Sequence, residues 1–318
     1  MKLTGKYEKI NPLFSLYIVF GLMAVGVIFR MYQLLNIIEP DTGFYKVKDW
    51  SVYVMYALSV LAIIVPYVLT ILAKNVPASK SPFRKNMLLA VGSLIFAIGI
   101  VFDVVTSLSA FLLNAKSFSV AGLSILGTMD QGQVPLLIES VFGIFAAIYM
   151  LIFGISYIDG RTTYSQYKFM AITPLFWAMS RIVLRFVRKI AYVNVSDLML
   201  ELFMLIFMMV FLLNFARISS GLANSKAMRT VFASGFVGIF FCTVANLPRL
   251  IMVITANGGK LPDEYPFSLC DLGFAIFAFA YIINAMKCAK ENDALELLGE
   301  DEKNEPDIME TDDNFLSE

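Results

Sequence analysis

The sequence predicts an all-α polytopic membrane bundle of about eight transmembrane helices, and three observations carry that reading. Of 318 residues, 58% are hydrophobic and 16% charged, with a mean hydropathy of +0.74, against roughly 45–50% and 25% in soluble domains. Apolar runs of about 20 residues, the length that crosses a bilayer core, recur along the whole body of the chain. These runs are about twice the length of a barrel strand and do not alternate polar with apolar residues, so a membrane β-barrel is excluded.

The runs fall at 12–36, 50–73, 87–113, 134–157, 169–190, 198–218, 231–255 and 267–286. The first follows a basic start (Lys2, Lys6, Lys9). It is too long for the apolar region of a signal peptide and no small-residue cleavage pattern follows it, so it is expected to be an uncleaved span. Trp50, Tyr53, Tyr157, Tyr192 and Tyr265 sit near run ends, where aromatic rings favour the membrane interface. Placing the amino end inside puts fourteen Lys and Arg in inner segments and six (Lys46, Lys48, Lys116, Arg188, Lys189, Lys260) in outer ones. Basic loops stay cytoplasmic, so the expected setting is the cell (inner, cytoplasmic) membrane with both ends in the cytoplasm.

Charge divides the chain in two. Residues 291–318 hold twelve of the 25 acids and one of the 25 bases, leaving a basic transmembrane domain at 1–290 and an acidic tail. That tail has too few apolar residues to offset the entropy of ordering it, so it is expected to be a disordered cytoplasmic extension. A short amphipathic turn fits at 295–298. The tail suits either simple solvation or contact with a cytosolic protein.

Several chemistries are excluded. There is no histidine, which removes His-based triads and His metal ligands. Cys242, Cys270 and Cys288 form no CxxC and fall in or beside apolar runs, where they read as small hydrophobes. No zinc, iron–sulfur or other cofactor is expected. HExxH, GxSxG and phosphate-cradling glycine loops are missing, so the chain is not expected to be an enzyme. Orientation explains the basic loops, which leaves no case for nucleic acid.

The candidate site is a set of charges inside the spans. Nine ionisable residues lie within or at the rim of the apolar runs: Arg30, Asp103, Glu139, Arg181, Arg185, Asp197, Glu201, Arg249 and Asp271. Under the predicted topology all nine fall in the outer half of the bundle. Each charge at mid-bilayer costs about 2.5–3.5 kcal/mol on insertion scales. Nine of them, even halved for nearness to the interface, rival the ~5–15 kcal/mol stability of a domain. They must pair, meet water, or both.

Spacing turns them inward. Pro174, Trp177, Arg181, Arg185 and Arg188 share one helical face, as do Asp197 with Glu201, and Cys242 with Asn246 and Arg249. Gly99, Asp103, Thr106, Ser107, Ala110 and Asn114 make a small, polar stripe, while Glu139 and Asp271 head stripes of Gly and Ala. Small residues allow close helix approach, so these faces belong at the bundle centre. The nine charges and Asn246 therefore form either an outward pocket for a polar or zwitterionic small solute, or an ion-pair network that fixes helix register.

Two weaker patterns stand beside this. Arg30 and Arg185 end similar apolar runs, Asp103 and Asn246 are each followed eleven residues later by Asn, and Glu139 and Asp271 precede similar Phe/Ala/Gly segments. In order, these matches suggest two parallel four-helix repeats. Arg30-Met-Tyr-Gln-Leu-Leu followed by Pro40-Asp-Thr-Gly-Phe-Tyr45 resembles a pattern in uncharacterised multi-spanning membrane proteins of Firmicutes. That resemblance covers about sixteen residues, implies a bacterial membrane setting, and brings no activity with it. Pro-Asp-Thr-Gly is also a turn signal that would place this loop over Arg30.

Two functional classes follow. A transporter or permease-like protein is favoured by the outer charges, by Pro66, Pro174 and Pro248 within spans, and by the repeat. A receptor, sensor or structural assembly partner is favoured by the acidic tail.

Overall fold

The structure, a computed structural model, describes residues 12–39, 45–46, 49–72, 85–120, 133–161, 163–187, 195–222, 226–255, 257–261 and 267–304. Eight helices long and apolar enough to cross a membrane account for most of these residues. They are α1 (Pro12–Tyr32), α2 (Trp50–Leu72), α3 (Met87–Val120), α4 (Gln133–Asp159), α5 (Thr173–Val187), α6 (Val195–Ser219), α7 (Ala227–Ile254) and α8 (Leu269–Asn304). The protein is an integral membrane protein, an all-α bundle as its hydropathy requires. One isolated bridge, Ile38 with Tyr45, is the extended pairing seen among the described residues.

Local chemistry sets several helix ends. Asn86 caps α3 by accepting hydrogen bonds from the Leu88 and Leu89 amides at 3.0 and 3.3 Å. Its side-chain amide also donates to Asn284 Oδ1 on α8 at 2.6 Å. Past α4, Gly160 takes φ 74° and lets the Arg161 amide turn back to the Ser156 carbonyl at 3.1 Å. The end of α1 widens into a π turn at Gln33–Ile37, which buries Gln33 beside Arg30.

Packing centres on α7, buried on every side from Val231 to Cys242, with α1, α2, α6 and α8 around it. A second group joins α3 to α4 and α8, and α5 lies against α4 and α6. The α3–α8 seam depends on glycine. A Cβ at Gly99 would stand 2.7 Å from the Cys270 Cα, and one at Gly273 3.1 Å from the Phe96 Cα, so only bare backbones approach this closely. Toward the end where α3 and α7 begin, aromatic side chains fill the centre. Phe153, Phe211, Phe215, Phe277 and Tyr281 pack edge-on at centroid distances such as 5.1 Å (Phe153–Phe215) and 5.4 Å (Phe215–Phe277).

Three expectations change. Helices α2 and α7 run unbroken through Pro66 and Pro248, and Pro174 falls in the first turn of α5, so the prolines interrupt no span. One turn on, Thr70 Oγ1 donates to the Pro66 carbonyl at 2.6 Å. Helix α8 continues to Asn304, so the early part of the acidic segment extends as helix rather than as a short turn. Ala294, Leu295, Glu296, Leu297 and Leu298 are strong helix formers, and extending a formed helix avoids the nucleation cost. Residues 305–318 lie outside the described residues. Finally, the helix pairing does not follow a twofold. Helices α6 and α7 pack along each other, but their counterparts α2 and α3 share no comparable contact.

Candidate functional site

All nine span charges collect at one end of the bundle, the end carrying the α1–α2, α3–α4, α5–α6 and α7–α8 connections. Arg30, Arg181, Arg185 and Arg249 sit late in α1, α5 and α7, while Glu139, Asp197, Glu201 and Asp271 sit early in α4, α6 and α8. They resolve into two groups.

The first group links α1, α5, α6 and α7. Arg30 donates through Nη2 to Asp197 Oδ1 and through Nη1 to Gln33 Oε1 at 3.0 Å. Arg249 donates to the same Asp197 Oδ1 at 3.2 Å and to Glu201 Oε1 at 3.1 Å. Arg185 Nη2 meets the other Glu201 oxygen at 2.6 Å. The side chains of Arg30, Asp197 and Arg249 are no more than 2% exposed, so this part is a closed ion-pair chain. Gln33 reaches on to Ser51 Oγ at 3.4 Å, tying in the start of α2.

The second group gathers α3, α4, α5 and α8 around one guanidinium. Arg181 Nη1 donates to Asp271 Oδ1 at 2.6 Å, while its Nε lies 3.7 Å from Asp103 Oδ2 and 3.8 Å from Glu139 Oε1. The guanidinium carbon sits 5.1 Å from the Trp177 ring centroid one turn earlier, a cation–π contact. Asp271 is braced from behind. Asn246 Nδ2 donates to its Oδ2 at 3.5 Å, and Asn246 Oδ1 accepts the Ser268 amide at 3.2 Å. Arg181 thus occupies the centre of a carboxylate cluster, and among the described residues no three acids or cysteines could jointly hold a metal ion.

Between the two groups lies a cavity of about 320 Å³, within the size range of small-molecule pockets. Asp103, Glu139, Arg181, Arg185, Glu201 and Asp271 line it, with hydroxyls from Thr106, Ser107 and Ser268. Gly99 narrows one wall by admitting Cys270. Farther in, Phe96 packs edge-on to Trp177 at 5.9 Å and to Phe274 at 5.7 Å, and all three are fully buried. These rings fill the bundle about one turn beyond the cavity lining.

The structure therefore brings the ten sequence-selected residues together and sorts them. Six line the cavity, Asn246 supports one of those six, and Arg30, Asp197 and Arg249 stand outside the lining. Sequence reasoning passed over Gln33, Ser51 and Ser268. For Gln33 a signal existed, since it lies three residues after Arg30 on the same helical face. The Ile38–Tyr45 bridge brings the first connection back beside the end of α1, while its Pro-Asp-Thr-Gly turn lies outside the described residues. Comparison with protein-family models, curated proteins and solved structures finds no match for this chain.

Proposed function

We propose that the chain binds a small polar solute in the charged cavity and works as a transporter or permease-like protein of a bacterial cytoplasmic membrane. Both ends would lie in the cytoplasm and the cavity would face outward, as the distribution of Lys and Arg favours. The observation that carries this reading is the cavity itself: six ionisable side chains of both signs around a space of about 320 Å³ at one end of a membrane bundle. A purely structural network gains nothing from such a space. Empty of water, it would leave the cavity-facing edges of these ion pairs desolvated with no packing in return, which is costly.

One observation favours a second reading, that of a receptor or sensor. Phe96, Trp177 and Phe274 pack together, fully buried, about one turn inward of the lining residues Gly99, Arg181 and Asp271. Transport would require that packing to part, whereas a receptor would not.

Water access is the first test. Ser107 lines the cavity and is half-buried. In a background lacking the three native cysteines, Ser107→Cys should react with a membrane-impermeant thiol reagent added to intact cells. A residue that reacts only after denaturation would show the space to be dry and defeat the binding reading. Solute flux into proteoliposomes would then separate transporter from receptor.

A further inference from the structure

We infer that the end of the bundle opposite the charge cluster holds a site for an anionic phospholipid, its phosphate bound by Lys168 and Arg217 and its acyl chains lying along Phe169. The site belongs to the seam between α5 and α6 and is independent of the cavity. There the α4–α5 connection folds against the close of α6. Ser220 Oγ donates to the Lys168 carbonyl at 3.2 Å, and the 3₁₀ turn Met170–Ile172 packs on α6. Two basic segments distant in sequence are thereby brought side by side. Neither brings an acid with it, since 160–196 and 202–262 contain no Asp or Glu. Lys168 and Arg217 are both exposed, and among the described residues neither forms an ion pair.

The exposed apolar side chains show what lies alongside these bases. Phe169 is 94% exposed. It stands seven residues before Phe176 and fourteen before Val183, exposed side chains that continue one outward stripe along α5. On α6, Ile206 and Leu213 form a similar stripe, and Arg217 ends it one turn later. Leu222, 76% exposed, follows in the turn where Gly221 takes φ 74° and the Leu222 amide returns to the Arg217 carbonyl at 2.9 Å. Each base thus borders apolar surface that continues into the membrane-spanning stripe of its own helix. A soluble anion has no use for that surface, and a cytosolic protein does not reach down it. A phospholipid meets both chemistries. Its phosphate suits the paired donors of a guanidinium and the point charge of an ammonium, and each base beside an anionic headgroup strengthens binding about fivefold. Orientation bias accounts for the number of bases at this end, but not for their convergence on an apolar edge.

Brominated lipids, which quench indole fluorescence on contact, test this. The full chain carrying Phe169→Trp is placed in nanodiscs of phosphatidylcholine with a minority of phosphatidylglycerol, and the bromine is carried by one lipid or the other. The signal of the parent chain, which has Trp50 and Trp177, is subtracted. Brominated phosphatidylglycerol should quench the new indole as if enriched about fivefold or more over its share of the bilayer. Adding Lys168→Gln and Arg217→Gln should return quenching to that share. The control removes Lys85 and Lys287 as Lys85→Gln with Lys287→Gln, two exposed bases at the same end on the α3–α8 pair that the Asn86–Asn284 bond joins. It should leave the enrichment unchanged. The readout compares two lipids within one variant, so differences in protein yield do not enter it. Quenching in proportion to bulk composition would overturn the site, and so would an equal loss in the control pair. Relief of quenching by inorganic phosphate would assign Lys168 and Arg217 to a free anion. Enrichment that emerges only after truncation at Lys290 would assign them to the acidic segment of the chain itself, and either result removes the lipid.

Discussion

Arg185 Nη2 lies 2.6 Å from Glu201 Oε2, while Arg249 Nη1 holds the other oxygen of the same carboxylate at 3.1 Å. The two arginines are not equivalent. Arg185 is 24% exposed and borders the cavity, whereas Arg249 is 2% exposed. Arg185→Gln leaves Glu201 paired, so stability should fall by about 1 kcal/mol or less, as for a partly exposed ion pair. Glu201→Gln removes a contact from buried Arg249 and should cost about 3–5 kcal/mol. Melting temperatures of the two variants in one detergent check this. Equal losses would mean that Arg185 is as structural as Arg249.

Asp197 is the hub of the closed chain, since Arg30 and Arg249 both donate to its Oδ1. Asp197→Asn keeps the shape but leaves two buried guanidinium groups with half their counter-charge. The expected loss is about 3–5 kcal/mol, enough to empty the folded fraction of a marginal protein. Yield of monodisperse protein is the readout. Adding Arg30→Met to Asp197→Asn should recover part of the yield, because it removes one of the stranded cations.

The sequence reveals that these charges meet, but not how they are partitioned. One-faced spacing brought Arg181 within reach of Asp103 and Glu139, and Arg185 within reach of Glu201, as the cost of burying a lone charge requires. Spacing along single helices carries no information about which helices are neighbours. That is why Arg30 pairing with Asp197, 167 residues away, could not be read from spacing. The misleading repeat has the same origin. Glu139 and Asp271 do converge on one arginine, Arg181, yet the helices carrying them pack in unlike surroundings. Hydrophobic composition reported the eight spans well because the bilayer demands about 20 apolar residues whatever the packing. It reported the end of α8 poorly because helix propensity, not hydropathy, governs a helix once it leaves the membrane.

The acidic segment should be dispensable for folding. Residues 291–318 carry twelve acids, and a helix this polar gains little from packing. Truncation after Lys290 is expected to leave membrane insertion unchanged and the melting temperature within about 2 °C, the shift expected of roughly half a kcal/mol. A larger fall would show that the segment docks on the basic inner loops.

In the proposed topology eight crossings place the two ends on the same side, the cytoplasmic one that the distribution of Lys and Arg favours. A phosphatase reporter fused after Lys290 should be silent, and one placed in the connection at 262–266 should be active. The reverse pattern would turn the cavity toward the cytoplasm.

The α3–α8 seam offers a test that involves no charge. A Cβ at Gly99 would stand 2.7 Å from the Cys270 Cα and 3.1 Å from its amide nitrogen. Both neighbours are backbone, so neither can swing aside, and α8 would have to shift to admit a methyl group. Gly99→Ala should therefore cost about 1–3 kcal/mol through overpacking. A shift of α8 at Cys270 would also move Asp271 away from Arg181, opening their 2.6 Å contact. Gly21 on α1 is the control, because a Cβ there meets nothing within 4 Å. With no clash, Gly21→Ala should stabilise the helix by about 0.5–1 kcal/mol, since alanine loses less backbone freedom on folding. Melting curves of the two variants should move in opposite directions from the parent. If Gly99→Ala were as stable as Gly21→Ala, the two helices would not be in backbone contact and the cavity wall beside Asp103 would be wider than the 2.7 Å approach at Cys270 implies.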